Sequence, residues 1–258
     1  MAKFPDTEWS AAQIRLTVFP TPQSGARLPD WWQRMTGAEP DQSTTDRKRE
    51  TSLVSGDFGA GTLTLGLAPE RVDWFLTPTE GSLDSALAPS EIGPMIETLD
   101  EFSRLAEKWL GADDLPDAGR IAFGLVLHHF EADHMAGYRR LPDYVPVGIE
   151  PDWRDFFFQI NIPRDLAREE YGARYLNRLS RWSVSVLRTT RLMLGDQPTV
   201  SEGSAPKYAL RLELDISTPA DSVEPLSRST LVSLYREMVS AGQAIARDGV
   251  AHEQYRFK

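Results

Sequence analysis

The chain has 258 residues, no cysteine and a formal net charge of −10, from 38 acidic against 28 basic side chains. The missing cysteine excludes disulfides, thiolate nucleophiles and cysteine zinc sites, and the acidic balance opposes general binding to phosphate backbones. No apolar run reaches the ~18 residues of a membrane span, and the first ten residues carry Asp6 and Glu8 without the apolar centre of a secretory leader, so a cytoplasmic location without membrane contact is the expectation.

In chain order, Ile14, Leu16 and Val18 alternate with Arg15 and Thr17, the period of a half-exposed strand. A long irregular stretch follows over 21–50, in which Leu28 to Met35 reads as a short helix and one of Trp31 and Trp32 should pack inward. A strand is expected near Leu53 and Val54, and Gly56 to Gly61 reads as a hairpin turn. It does not open a helix after a buried strand, so it is no dinucleotide loop. Leu63, Leu65 and Leu67, then Val72, Trp74 and Leu76, predict two strands joined by a short turn. From Ile92 to Leu110 apolar residues recur at three- and four-residue steps, predicting a helix capped by Ser90 and closed by Gly111.

The same order then recurs. Strands are predicted around Ile121 to Leu127, Phe156 to Ile162, Trp182 to Val186 (with continuation to Leu192) and Tyr208 to Ile216. Residues 135–153 read as irregular, and residues 197–206 as a hairpin connection. A helix from Leu231 to Ile245 follows, capped by Ser227 or Ser229 and ended by Gly249. This predicts an α+β fold of two similar units, each an antiparallel four-stranded sheet followed by one long helix. The units span 1–115, with the 21–50 insertion, and 116–258. They could join sheet edge to sheet edge or pack helix to helix.

Candidate chemistry is sparse. His128, His129, Asp133 and His134 are the metal-ligand candidates, because imidazole and carboxylate suit zinc, manganese or iron. Adjacent strand histidines point to opposite faces, which opposes a shared ion. Glu213 and Asp215 fall on one strand face, roughly 6.5–7 Å apart, and with Asp73 are candidates for acid–base work. Neither pattern matches an established motif, so no catalytic residue and no cofactor is assigned. Arg164, Arg168, Tyr171, Arg174, Tyr175, Arg178, Arg181, Trp182 and Arg188 form an Arg/aromatic-rich segment suited to a protein interface, or alternatively to nucleic acid along 164–191. Trp31 and Trp32 join them as candidate contact residues.

Gly119-Arg120-Ile121-Ala122-Phe123-Gly124 and Leu212-Glu213-Leu214-Asp215-Ile216, the latter followed by the Leu231–Ile245 helix, resemble a sporadically distributed bacterial family of duplicated four-strand-plus-helix proteins, a domain of unknown function. The resemblance covers most of the chain and implies a two-unit α+β protein without assigned catalytic residues. The family's patchy distribution implies a setting in mobile or defence islands. The strand–helix order is also similar to the secretion chaperone that holds unfolded preproteins, which implies apolar grooves beside the helices and a peptide-binding alternative. The expectation is a non-enzymatic adaptor subunit of a bacterial cytosolic complex, in anti-phage defence, with a protein partner. The alternatives are a metal-dependent enzyme at 128–134, a nucleic-acid-binding subunit and a chaperone-like peptide binder.

Overall fold

The computed structural model describes residues 9–21, 30–79, 91–166, 175–188, 190–193, 199–202, 205–222 and 224–250. Its elements run in chain order β1 (Ser10–Pro20), α1 (Trp31–Thr36), β2 (Gln42–Asp46), β3 (Thr51–Phe58), β4 (Gly61–Ala68), β5 (Arg71–Pro78), β6 (Gly93–Pro94) and α2 (Met95–Leu110). They continue with β7 (Ala118–Glu131), α3 (His134–Arg140), β8 (Phe157–Asn161), β9 (Arg164–Asp165), β10 (Tyr175–Leu187), β11 (Thr190–Met193), β12 (Thr199–Glu202), β13 (Lys207–Ser217) and α4 (Arg228–Asp248).

One antiparallel sheet holds most of the chain. Its order is β2-β3-β4-β5-β1-β7-β13-β10-β8, with β6 beside β1 and β9 beside β10, making eleven strands; β11 and β12 form a separate hairpin. The register centres on Leu16, which lies opposite Trp74 of β5 on one side and Phe123 of β7 on the other. Phe123 in turn faces Ile216 of β13. All four side chains are fully buried on one face of the sheet. Burying each such side chain contributes about 1.5–3 kcal/mol, so this central seam is where the fold is anchored.

All four helices meet the sheet through that face. In α1, Trp32 stacks on Trp74 at 6.1 Å, and Trp31 meets Trp109 of α2 edge-on at 5.5 Å. In α4, Tyr235 meets Phe123 edge-on at 5.9 Å, and Gly242 lets the helix close on Phe123 and Leu214. In α3, Gly137 packs on Val184 of β10. The start of α2 is pinned to β1 by backbone: Ile92 N donates to Ala11 O (2.7 Å) and Met95 N to Trp9 O (2.8 Å).

The expectation of two like units, each of four strands and one long helix, is corrected. β1 and β7 pair directly and fuse everything into one sheet that spans the expected boundary. Five strands of the main path, not four, precede α2, and α1 and α3 add helices beyond one per unit. A period-two pattern reveals which residues share a face but not which strand lies alongside. β2 escaped notice because Gln42-Ser43-Thr44-Thr45-Asp46 is exposed throughout and has no apolar alternation. α3 falls where an irregular stretch was expected; it is seven residues long, and Asp133 caps it by accepting from Ala136 N.

Smaller expectations fare unevenly. Ser227 caps α4 by accepting from Thr230 N, and Gly249 ends it at φ +64°. Gly111 follows α2 in right-handed conformation, not the left-handed one that favours glycine, and the helix begins after Pro94. The proposed Ser90 cap lies outside the described residues. The run expected to continue to Leu192 breaks after β10, and residues 197–206 contain β12.

Candidate interaction face

Alternate residues of the same strands form the sheet face opposite the helices. Cross-strand register sets Gln13, Val126, Glu213, Arg181 and Gln159 abreast. The next row holds Arg15, Gly124, Asp215, Leu179 and Asn161, and the row on the other side Ser10, His128, Arg211, Ser183 and Phe157. On central β7 this face uses the small residues Ala122 and Gly124, and the Arg15 side chain lies across Gly124: an added Cβ would stand 3.3 Å from its Nε.

The charges interlock. Arg211 Nε donates to Glu213 Oε1 (2.8 Å), and Arg181 Nη1 approaches Glu213 Oε2 at 3.6 Å. Arg181 Nε donates to Gln159 Oε1 (2.8 Å), and Arg15 Nη2 stands 3.7 Å from Asp215. His128, buried on this face, lies 3.5 Å from Arg211 and 3.7 Å from Glu91. The guanidinium of Arg120 covers the Phe19 ring at 4.4 Å, and Lys207 covers Phe130 at 5.3 Å. The ion-paired side chains keep 30–40 % of their surface in water, so each pair is worth about 0–1 kcal/mol. They fix orientation more than they stabilise the fold.

Between β1 and β8 the cations Arg15, Arg120, Arg181, Lys207 and Arg211 outnumber the carboxylates Glu213, Asp215 and the Glu91 that approaches His128, within a chain of net charge −10. This region is therefore locally positive, and the chain's acidic groups farther off than a Debye length of about 8 Å are largely screened from it. Asp73 sits on the same face further along the sheet. It is buried, accepts from Thr17 Oγ1 at 2.5 Å and pairs with Arg71 at 2.8 Å. Each of the three acid–base candidates thus faces a guanidinium.

The metal candidates do not converge. His128 points to the helix-free face, whereas His129 meets Trp9 edge-on (5.8 Å) on the other and stands 2.9 Å from Glu131. Asp133 caps α3, and His134 packs against Tyr138 at 4.6 Å. Among the described residues no three His, Asp or Glu side chains gather to hold an ion. Burial, followed by the nearby Arg140 charge, holds the His129 pKa below its ordinary 6.5 despite Glu131.

The Arg/aromatic segment does not form one surface. Tyr175 and Arg181 fall on the helix-free face, but Arg178 and Trp182 have the opposite parity. Trp182 is fully buried, stacked on Tyr144 at 5.1 Å, and Arg178 Nε donates to Ile162 O (3.0 Å). Arg164 is exposed on β9 and Arg188 just beyond β10, while Arg168, Tyr171 and Arg174 lie outside the described residues. Trp31 and Trp32 are both core residues; Trp31 Nε1 donates to Asp114 at 2.9 Å. The residues sequence reasoning passed over as a group are Arg15, Arg120, Lys207 and Arg211, whose signal was their wet-face position on β1, β7 and β13.

Among the described residues no helix is long and apolar enough to cross a membrane. No protein-family model and no curated protein matches the chain, so the resemblance noted from its motifs gains no support from these comparisons.

Proposed function

We propose that this protein is a non-enzymatic binding subunit that holds an acidic surface of a partner protein on the helix-free face of its sheet. The observation that carries this is the interleaving of Arg15, Arg181 and Arg211 with Glu213 and Asp215, edged by Arg120 and Lys207 over aromatic rings. An acid–base pair needs a carboxylate free to exchange its proton, and here each is engaged by a guanidinium. A phosphate-tracking surface needs uninterrupted cations, and here two carboxylates break the rows. A fixed mosaic with a cationic excess suits a complementary protein, because charge patterns across an interface set partner choice and association rate. In this reading the partner belongs to a bacterial cytosolic assembly.

Co-expression of the tagged chain with the products of adjacent genes tests this. A partner should co-purify, lose affinity as salt rises, and be lost on Arg181→Gln combined with Lys207→Glu. Co-purification that ignores both variants would place the contact elsewhere, and a chain that stays alone with every neighbouring product would remove the proposal.

A further inference from the structure

The two ends of the sheet are built differently. β2 ends one side with Asp46 and is followed by Arg47-Lys48-Arg49-Glu50, a charged guard of the kind that keeps strand edges from pairing. β8 ends the other side with Phe157-Phe158-Gln159-Ile160-Asn161, which carries no charge and no proline. Among the described residues no strand pairs with its outer edge, so a row of backbone donors and acceptors stands open there. Exposed apolar side chains collect at the same corner. Phe157 is 59 % exposed, Trp153 packs on Phe156 just before the strand, and Val186 lies on the face of β10 where Val184 meets α3.

We infer that β8 is a dimerisation edge, which a second copy of this chain pairs antiparallel about a two-fold axis at Gln159. The strand is self-complementary in that arrangement. Phe158 of each copy faces Ile160 of the other on the helix side, and Phe157 faces Asn161 on the helix-free side. Gln159 faces its own equivalent, and no like charges meet. Phe158 and Ile160 are only partly buried at the rim of the core, so pairing would carry the core across the axis. A five-residue ladder alone falls short of the roughly 1,200 Å² of a stable interface; exposed Phe157 and Trp153 extend the contact. β8 borders the charged face through Phe157, Gln159 and Asn161, but the pairing uses its outer backbone rim and the charged contact uses Arg15, Arg181, Arg211 and Lys207, so either proposal can fail without the other.

The chain has no cysteine, so a single introduced thiol reports cleanly. Directly opposed antiparallel residues have Cα atoms about 4.5–5.5 Å apart, within the span a disulfide bridges. Sedimentation of the unaltered full chain should show a concentration-dependent dimer. Under mild oxidation Gln159→Cys should become mainly a disulfide-linked dimer, while the comparably exposed Leu53→Cys on β3 stays mainly monomeric. A monomer in sedimentation would overturn the inference. So would a dimer in which Gln159→Cys links no faster than Leu53→Cys.

Discussion

Replacing Phe123 with alanine probes the seam that makes this molecule one body. Phe123 is fully buried between Leu16 of β1 and Ile216 of β13, with Tyr235 edge-on at 5.9 Å and α4 drawn close at Gly242. Phe→Ala in a core costs about 3–5 kcal/mol, of which the lost edge-to-face contact accounts for about 0.5–1.5 kcal/mol. The walls of the resulting cavity are ladder-bonded strands on both sides and helix backbone above, which cannot close in easily. The upper part of the range, about 4–5 kcal/mol, is therefore expected. Urea unfolding should show a lower midpoint at unchanged slope. Tryptophan fluorescence, to which Trp74 in the seam and Trp109 packed on it contribute among seven tryptophans, should fall together with far-UV dichroism. A loss under about 2 kcal/mol, or a transition in which the β2–β5 side melts separately, would refute the single-sheet account.

Three further outcomes follow from particular contacts. Gly249→Ala forces a side chain into φ +64° with its Cβ 2.5 Å from the Tyr144 carbonyl oxygen, so thermal melting should show a loss of more than about 1 kcal/mol. His129 has a folded pKa below its ordinary 6.5, so the unfolded chain binds the extra proton first. Its contribution is intact above pH 6.5, is lost as pH falls from there toward the depressed folded value, and His129→Gln should flatten that part of the stability profile. Because His128, His129, Asp133 and His134 do not converge, neither zinc nor a chelator should move the melting temperature; a rise with one equivalent of zinc would restore the metal reading.

Strand faces were legible because alternation is a local property: Ile14-Leu16-Val18 and Leu210-Leu212-Leu214-Ile216 announce their buried sides without neighbours. Strand partners were not, since nothing in β1 alone says that β5 and β7 flank it. The Arg-rich segment misled for the same reason. Residues 178 and 181 are close in sequence, but an odd spacing sends them to opposite faces of β10. Conversely Arg15 and Asp215, 200 positions apart in number, meet because β1 and β13 both flank β7. The start of α2 was misplaced because it is set by hydrogen bonds to Trp9 and Ala11, a long-range contact that no capping pattern reveals.

The most direct test of the binding face compares two charge changes on opposite sides of the sheet. Lys207→Glu alters the helix-free face, and Arg236→Glu alters the exposed helix side at α4. With a co-purifying partner in hand, titration calorimetry should show affinity weakened by Lys207→Glu and unchanged by Arg236→Glu. The reverse pattern would contradict the account.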